Sequence, residues 1–239
     1  MPLKLRPDND LAGHDRPAVT VDLVLMSIVE RSPVALLMRR QIEPDLGKWA
    51  LPGGFVRIDE TLDDAARRIL RSKAHMADAY IEQLYTFGDL DRDPRARVIT
   101  VTYFALLPPD RFGDALKASP DLTLAEIIVP WADETGGPIE VMNDSGPVAL
   151  AFDHAAILGL AMLRLRGKLN YSTIGFALLP ETFTLRALQD VHEAILGTTL
   201  NKPAFRRRML EKGWIEPTGI RETGASFRPA ELYRLKTGI

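Results

Sequence analysis

Gly53 and Gly54 lie side by side in the stretch WALPGGF, residues 49–55, just ahead of a helix-like segment that begins near Leu62. Paired glycines permit backbone conformations closed to larger residues and let a ligand come close to the main chain. A tight turn with no ligand is the competing reading. Glu60 and Arg68 follow Gly54 at fixed intervals, and a loop of this kind running into a helix is suited to handling phosphate groups. Further along, Ser72 and Lys73 occupy positions where a metal-holding helix would need carboxylates. Arg39 and Arg40 close an apolar run just upstream, and a guanidinium can clamp a phosphate with two parallel hydrogen bonds. Successive strand residues point to opposite faces, so at most one of this pair is expected in a common pocket. A second concentration of charge, Lys202, Arg206, Arg207 and Arg208, occupies a short helical stretch near the end of the chain.

The elements that would position these groups follow from apolar spacing. Segments 18–30 and 34–40 read as strands joined by a turn, and 79–90 and 97–108 as two more across the turn DRDPRA. A further strand is expected at LAEIIVPW. Leu62, Ala65, Ala66, Ile69 and Leu70 fall at helical spacing over 62–76. Residues 147–169, rich in Ala and Leu, predict a long helix. The alternation of strand and crossover helix that marks a dinucleotide-binding fold is missing. The 239 residues carry a net charge of −2, with 46% hydrophobic residues and no cysteine. These values exclude a general polycation, disulfides and thiolate chemistry. Residues 1–17 are polar and expected to be mobile. They lack the apolar core of a signal peptide, and no apolar run approaches a membrane span, so a cytoplasmic protein is expected.

Together, Trp49–Gly54, Glu60 and Arg68 resemble the Nudix box, whose pattern is Gly, five residues, Glu, seven residues, then Arg-Glu-apolar-any-Glu-Glu. The second half departs from it. Ile69 replaces the first Glu after the Arg, Ser72 and Lys73 replace the paired Glu, and His75 replaces a Gly. Cleaving a pyrophosphate needs Mg²⁺ held by hard oxygen ligands. Exchanging two carboxylates for Ser and Lys removes negative charge and places a cation that opposes metal binding. No catalytic residue and no metal ligand is expected. A substitute site built from Asp63, Asp64 or a distant Glu is the alternative. The resemblance places a ligand beside the box helix, with Arg39, Arg40, Trp49, Gly53, Gly54, Phe55, Glu60, Phe87 and Phe104 as candidate binding residues. Trp49, Phe87 and Phe104 would stack on an adenine or line its pocket; ordinary core packing is the alternative for Phe87 and Phe104.

Past a break at 170–183, the pattern changes. Thr184 reads as an N-cap, Leu185, Leu188, Val191 and Ile195 as one apolar stripe, and Gly197 as a stop. Asn201, Phe205, Met209 and Gly213 repeat the design, followed by strand, loop and strand, the order of a winged helix-turn-helix. From Tyr171 onward cationic residues exceed acidic ones by three. Lys202 and Arg206 share a helix face at i,i+4. Candidate DNA contacts are Thr184, Arg186, Asn201, Lys202, Arg206, Arg207 and Arg208, with Arg221 and Arg228 on the wing. A merely solvated basic face is the alternative. The expected fold is thus α/β (α+β): a Nudix α/β/α sandwich with a mixed sheet over 18–169, then a winged helix-turn-helix over 170–239.

A degenerate Nudix box followed by a winged helix, together with the stretches AFDHAAIL, RGKLNY and LPETFTLRALQDVHEAILG, resembles the Nudix-related transcriptional regulators of bacterial NAD metabolism. That resemblance implies a homodimeric repressor of double-stranded operator DNA. Its effector would be ADP-ribose or a related nucleotide rather than a resident cofactor, and its targets would be genes of NAD synthesis or salvage. An active pyrophosphohydrolase with an accessory DNA-binding domain is the alternative.

Overall fold

The computed structural model describes residues 13–132, 135–222 and 229–236. Most of the N-terminal segment 1–17 and all of Arg228 lie outside these residues.

Strands β1 (Ala18–Val29) and β2 (Ser32–Arg39) form an antiparallel hairpin with Met26 opposite Ala35. Its tip is Glu30 and Arg31, at φ 48° and 68°. Two short strands, β3 (Trp49–Ala50) and β4 (Gly53–Phe55), pair with the far ends of β2 and β1. The sheet is completed by β5 (Glu82–Phe87), β6 (Val98–Leu106), β7 (Leu122–Ile128), β8 (Glu140–Asn143) and β9 (Gly146–Pro147). The order is β5-β6-β1-β2-β7-β8-β9, and the β1–β6 pair is parallel, so the sheet is mixed as expected. β1 lies near the centre and is buried without interruption from Val21 to Ser27. A strand covered on both faces is apolar almost throughout, which is why residues 23–26 read LVLM.

On one face, α1 (Leu62–Ser72) and α2 (Gly113–Ala118) seal a core of Leu23, Leu25, Ile69, Leu70, Tyr103 and Phe112. α1 starts where Thr61 accepts the Asp64 N–H at 3.1 Å. On the other face, α3 (His154–Lys168) packs over Val24, Met26, Leu37 and Phe104.

The C-terminal part comprises β10 (Phe183–Thr184), α4 (Leu185–Leu196), α5 (Lys202–Glu211), β11 (Ile215–Arg221) and β12 (Glu231–Leu235), with strand order β10-β12-β11. Leu188, Val191 and Ile195 meet Phe205, Met209 and Tyr233, and this cluster is continuous with the α3 side of the large sheet. The winged helix therefore stacks on the sheet. Polar contacts reinforce the join. Arg31 at the hairpin tip pairs with Asp190 at 3.2 Å and Glu193 at 2.7 Å, and Arg166 of α3 donates to the Ile195 carbonyl at 2.9 Å. Buried Glu193 also accepts the Leu200 N–H at 2.9 Å, which fixes the turn leading into α5.

The expected sandwich and winged helix are present, with local corrections. The helix foreseen at 147–169 begins only at His154. Pro147 belongs to β9, Leu150 bridges to Trp49, and Phe152 has φ 50°, so tertiary pairing overrides the helix propensity of Ala149, Leu150 and Ala151. The strand foreseen at 79–90 is confined to Glu82–Phe87, and α1 ends at Ser72 rather than Met76. The division proposed near residue 170 falls just after α3.

Candidate functional site

A cleft of about 350 Å³ opens where the ends of β1 and β2 meet the β3–β4 turn. Among its lining residues are Asp22, Arg39, Arg40, Gly53, Gly54, Phe55, Lys73, Arg92, Arg95, Phe152 and His154. Both arginines of the adjacent pair face it. The alternation rule fails here because β2 ends at Arg39, leaving Arg40 free of the pleat. Arg40 lies 4.5 Å from the centre of the Phe152 ring and donates to the Pro44 carbonyl at 2.8 Å. Burial, and then the nearby positive Arg95, push its pKa below the ordinary value. Arg95 is held by Asp93 at 2.7 Å, and Arg92 by two bonds to Asp153 at 2.8 and 2.9 Å. Arg39 and Lys73 have no ion-pair partner among the described residues. The cleft is therefore rich in cation where those side chains stand, and suits an anion.

Gly53 is required by close approach: a Cβ there would stand 1.9 Å from Asp22 Oδ1 and 3.2 Å from the Val21 carbonyl. Gly53→Ala is expected to destabilise the fold by about 1–3 kcal/mol, the usual cost of overpacking, measured by urea unfolding. Gly54→Ala, whose Cβ would meet only Ile69 at 3.7 Å, is the mild control.

The remaining box residues have structural duties. Glu60 receives the Arg68 guanidinium at 2.8 Å and the Arg57 N–H at 2.9 Å, while Arg68 also donates to the Phe55 carbonyl at 3.0 Å. The bond from Arg68 holds the Glu60 pKa at about 2. Glu60 thus clamps the loop onto α1 and does not line the cleft. Ile69 is fully buried. His75 has φ 52°, so the backbone keeps the left-handed form that glycine would favour. Asp63 is bonded by the Tyr103 hydroxyl at 2.8 Å, and Asp64 by Thr61 at 2.7 Å. Among the described residues no three His, Cys, Asp or Glu side chains converge as a metal site.

Trp49, Phe87 and Phe104 do not line the cleft. Trp49 and Phe87 are half-buried against the α3-side core. Phe104 is on the same sheet face as the cleft but at the wrong end: it pairs with Val24, whereas Asp22 pairs with Thr102 and Thr20 with Thr100. It lines instead a separate cavity of about 650 Å³ between sheet and winged helix, with Phe176 and Phe183. Asp22, Arg92, Arg95, Phe152 and His154 went unnoticed in the sequence. The available signals were a lone carboxylate inside the apolar β1 run, the arginines dismissed as a turn, and the AFDH segment.

In the winged helix, Phe205 and Met209 are buried as expected, and Lys202, Arg206, Arg207 and Arg208 are exposed. Thr184 and Asn201 act as caps, accepting the Ala187 and Ala204 N–H groups, each at 3.0 Å. Arg206 reaches the Tyr233 hydroxyl at 3.4 Å, Arg207 lies 3.9 Å from Glu211, and Arg208 is 5.6 Å from the Phe205 ring centre. Arg221 donates to the Pro229 carbonyl at 3.1 Å. Arg186 is exposed but paired, with Asp190 at 2.6 Å and Glu193 at 3.8 Å.

Residues 16–133 match the NUDIX domain, and residues 175–235 match the NrtR DNA-binding winged helix domain. The chain is 36% identical over 225 residues to the ADPR responsive transcriptional repressor NtrR of Acinetobacter baylyi, covering 93% of this chain and 84% of that one. It is 33% identical over 142 residues to an ADP-ribose pyrophosphatase of Methanocaldococcus jannaschii, covering 59% of this chain and 71% of that one. The crystal structure of Shewanella oneidensis NrtR with a 27mer DNA superposes with a TM-score of 0.74 at 34% identity, over 91% of this chain and 93% of that one. With matches to the NUDIX domain and to the NrtR winged helix in one chain, and a repressor relative 36% identical over 93% of it, the chain belongs to the family of NrtR-type transcriptional repressors.

Proposed function

We propose that this chain is a cytoplasmic, homodimeric repressor whose cleft senses ADP-ribose or a closely related nucleotide without cleaving it. Its targets would be genes of NAD synthesis or salvage. The observation that carries the reading is the cleft itself: Arg39, Arg40 and Lys73 offer charge for a pyrophosphate. The adjoining α1 supports binding without hydrolysis. Its Ile69 is buried, its Ser72 is neutral, and Glu60 is committed to Arg68. These residues do not fit a Mg²⁺ ion, which needs several hard oxygen ligands. Coupling to DNA follows from β2, which carries Arg39 at the cleft and leads back to Arg31, the residue bonded to α4. A ligand shifts DNA affinity only if it favours one arrangement of that join over another.

Titrating ADP-ribose into an operator gel shift is expected to change apparent DNA affinity by about 10-fold or more, within the usual range of allosteric coupling. No change would refute sensing. In a parallel assay with Mg²⁺ or Mn²⁺, turnover of ADP-ribose near 1 s⁻¹, an ordinary enzyme rate, would instead make the chain a pyrophosphatase like the archaeal relative.

A further inference from the structure

The wall that residues 151–154 give to the cleft holds more than charge. His154 is 3% exposed, and its Nδ1 accepts the Leu51 N–H at 2.9 Å, directly ahead of the Pro52–Gly54 turn. A neutral imidazole has one donor and one acceptor nitrogen, so with Nδ1 accepting, the proton sits on Nε2. Burial holds the ring's pKa below its ordinary value and so favours this neutral form. Nε2 faces Asp22 Oδ1 across 4.0 Å, beyond direct hydrogen bonding.

Asp22 is equally fixed. It is 6% exposed, and its Oδ2 accepts the Thr100 hydroxyl at 2.7 Å with Arg92 at 3.7 Å. Gly53 rests against Oδ1, where any side chain would collide. A donor and an acceptor, both more than nine-tenths buried and both facing the cleft, are thus held apart by a gap neither closes. One oxygen about 2.8 Å from each atom spans that gap. The oxygen must accept from Nε2–H and donate to the carboxylate. A hydroxyl does both, a phosphate oxygen is repelled by Asp22, and an ammonium cannot accept.

We infer that Asp22 and His154 form a hydroxyl-binding site in the cleft that takes one sugar hydroxyl of the ligand and orients its phosphates toward Arg39 and Arg40. This rests on the nucleotide-sensing reading above. It makes the site selective for a sugar-bearing pyrophosphate over the bare anion, since an unpaired buried polar group is costly.

The test is calorimetry on the full chain with two probes, ADP-ribose and inorganic pyrophosphate. Asp22→Asn keeps an oxygen for Thr100 but turns a donor toward Nε2. His154→Asn keeps an acceptor for the Leu51 N–H but removes the facing donor. Operator binding without nucleotide checks that each variant is folded, and either variant suffices. Each is expected to lower the preference for ADP-ribose over pyrophosphate by about 10- to 100-fold, the range for a lost buried partner. A preference that stays the same in both, whether affinities hold or fall together, would overturn the site, as expected if only a water fills the gap. If the unaltered chain fails to bind ADP-ribose, the sensing reading falls and takes the site with it. If the unaltered chain binds and the variants bind equally well, the hydroxyl site alone is lost.

Discussion

Replacing Lys202 and Arg206 together with alanine is expected to weaken operator binding roughly 100-fold, since an arginine that reads a base is worth about 1–3 kcal/mol and the loss of a lysine on a phosphate weakens binding further. The two residues share one face of α5, and neither is strongly engaged within the protein. Lys202 is exposed, and among the described residues it has no ion-pair partner and Arg206 makes only a long contact of 3.4 Å to Tyr233. The helix itself survives the change, because Asn201 caps it while Phe205 and Met209 anchor it. Fluorescence anisotropy over a series of salt concentrations checks more than the affinity. Each phosphate contact removed should reduce the slope of log K against log salt by about 0.9. Arg186→Ala is the informative control: its side chain is spent on Asp190 and Glu193, so operator affinity should change little. Unchanged affinity and slope in the double variant would mean that another element reads the DNA.

That contrast between Lys202 and Arg186 also shows what the chain discloses by itself. α1, α4 and α5 were legible because their cues are local: apolar residues three and four apart, with Thr184 and Asn201 as caps for the last two. Which charge stays free is only partly a local matter: Asp190, four residues on along α4, pairs with Arg186 and is readable from the spacing, whereas the place of Glu193 beside the β1–β2 tip is set by the fold. The cleft divides the same way. Gly53, Gly54, Phe55, Arg39 and Arg40 were visible because they crowd into 17 consecutive residues, 39–55. Asp22, Arg92, Arg95, Phe152 and His154 come from three distant segments, which the sheet and the start of α3 bring together. Trp49, Phe87 and Phe104 lie off the cleft because residue type names neither the face nor the end of a strand. The lone carboxylate in β1 was the strongest overlooked cue, since a charge in a doubly buried strand needs partners, and it has them in Thr100 and Arg92.

A buried histidine in the winged helix leads to the second large effect, an acid-sensitive fold. His192 is 3% exposed on α4, its ring meets Phe205 of α5 edge-on at 5.1 Å, and its Nδ1 has no hydrogen-bond partner among the described residues. Burial, and then the positive Arg208 and Lys212, hold its pKa at about 4. In the unfolded chain the ordinary value is about 6.5, so below that pH the unfolded state takes up a proton that the folded state refuses. Stability is thus intact above about pH 6.5 and is lost as pH falls, by about 2 kcal/mol at pH 5 and about 3 kcal/mol near pH 4. His154 is shifted in the same direction and adds to the loss. Asp45, Asp93 and Glu193, held below the usual carboxylate range by their bonded partners, lose their contributions only at lower pH, below about 4.5. Urea unfolding at pH 7 and pH 5 therefore isolates the histidines. His192→Phe, which fills the space and does not titrate, is expected to shrink the difference between the two pH values by about 2 kcal/mol. An equal loss in the variant and the unaltered chain would show that His192 is not held neutral. The same contact seats α5 on α4, so acid should loosen operator binding in the unaltered chain more than in the phenylalanine variant.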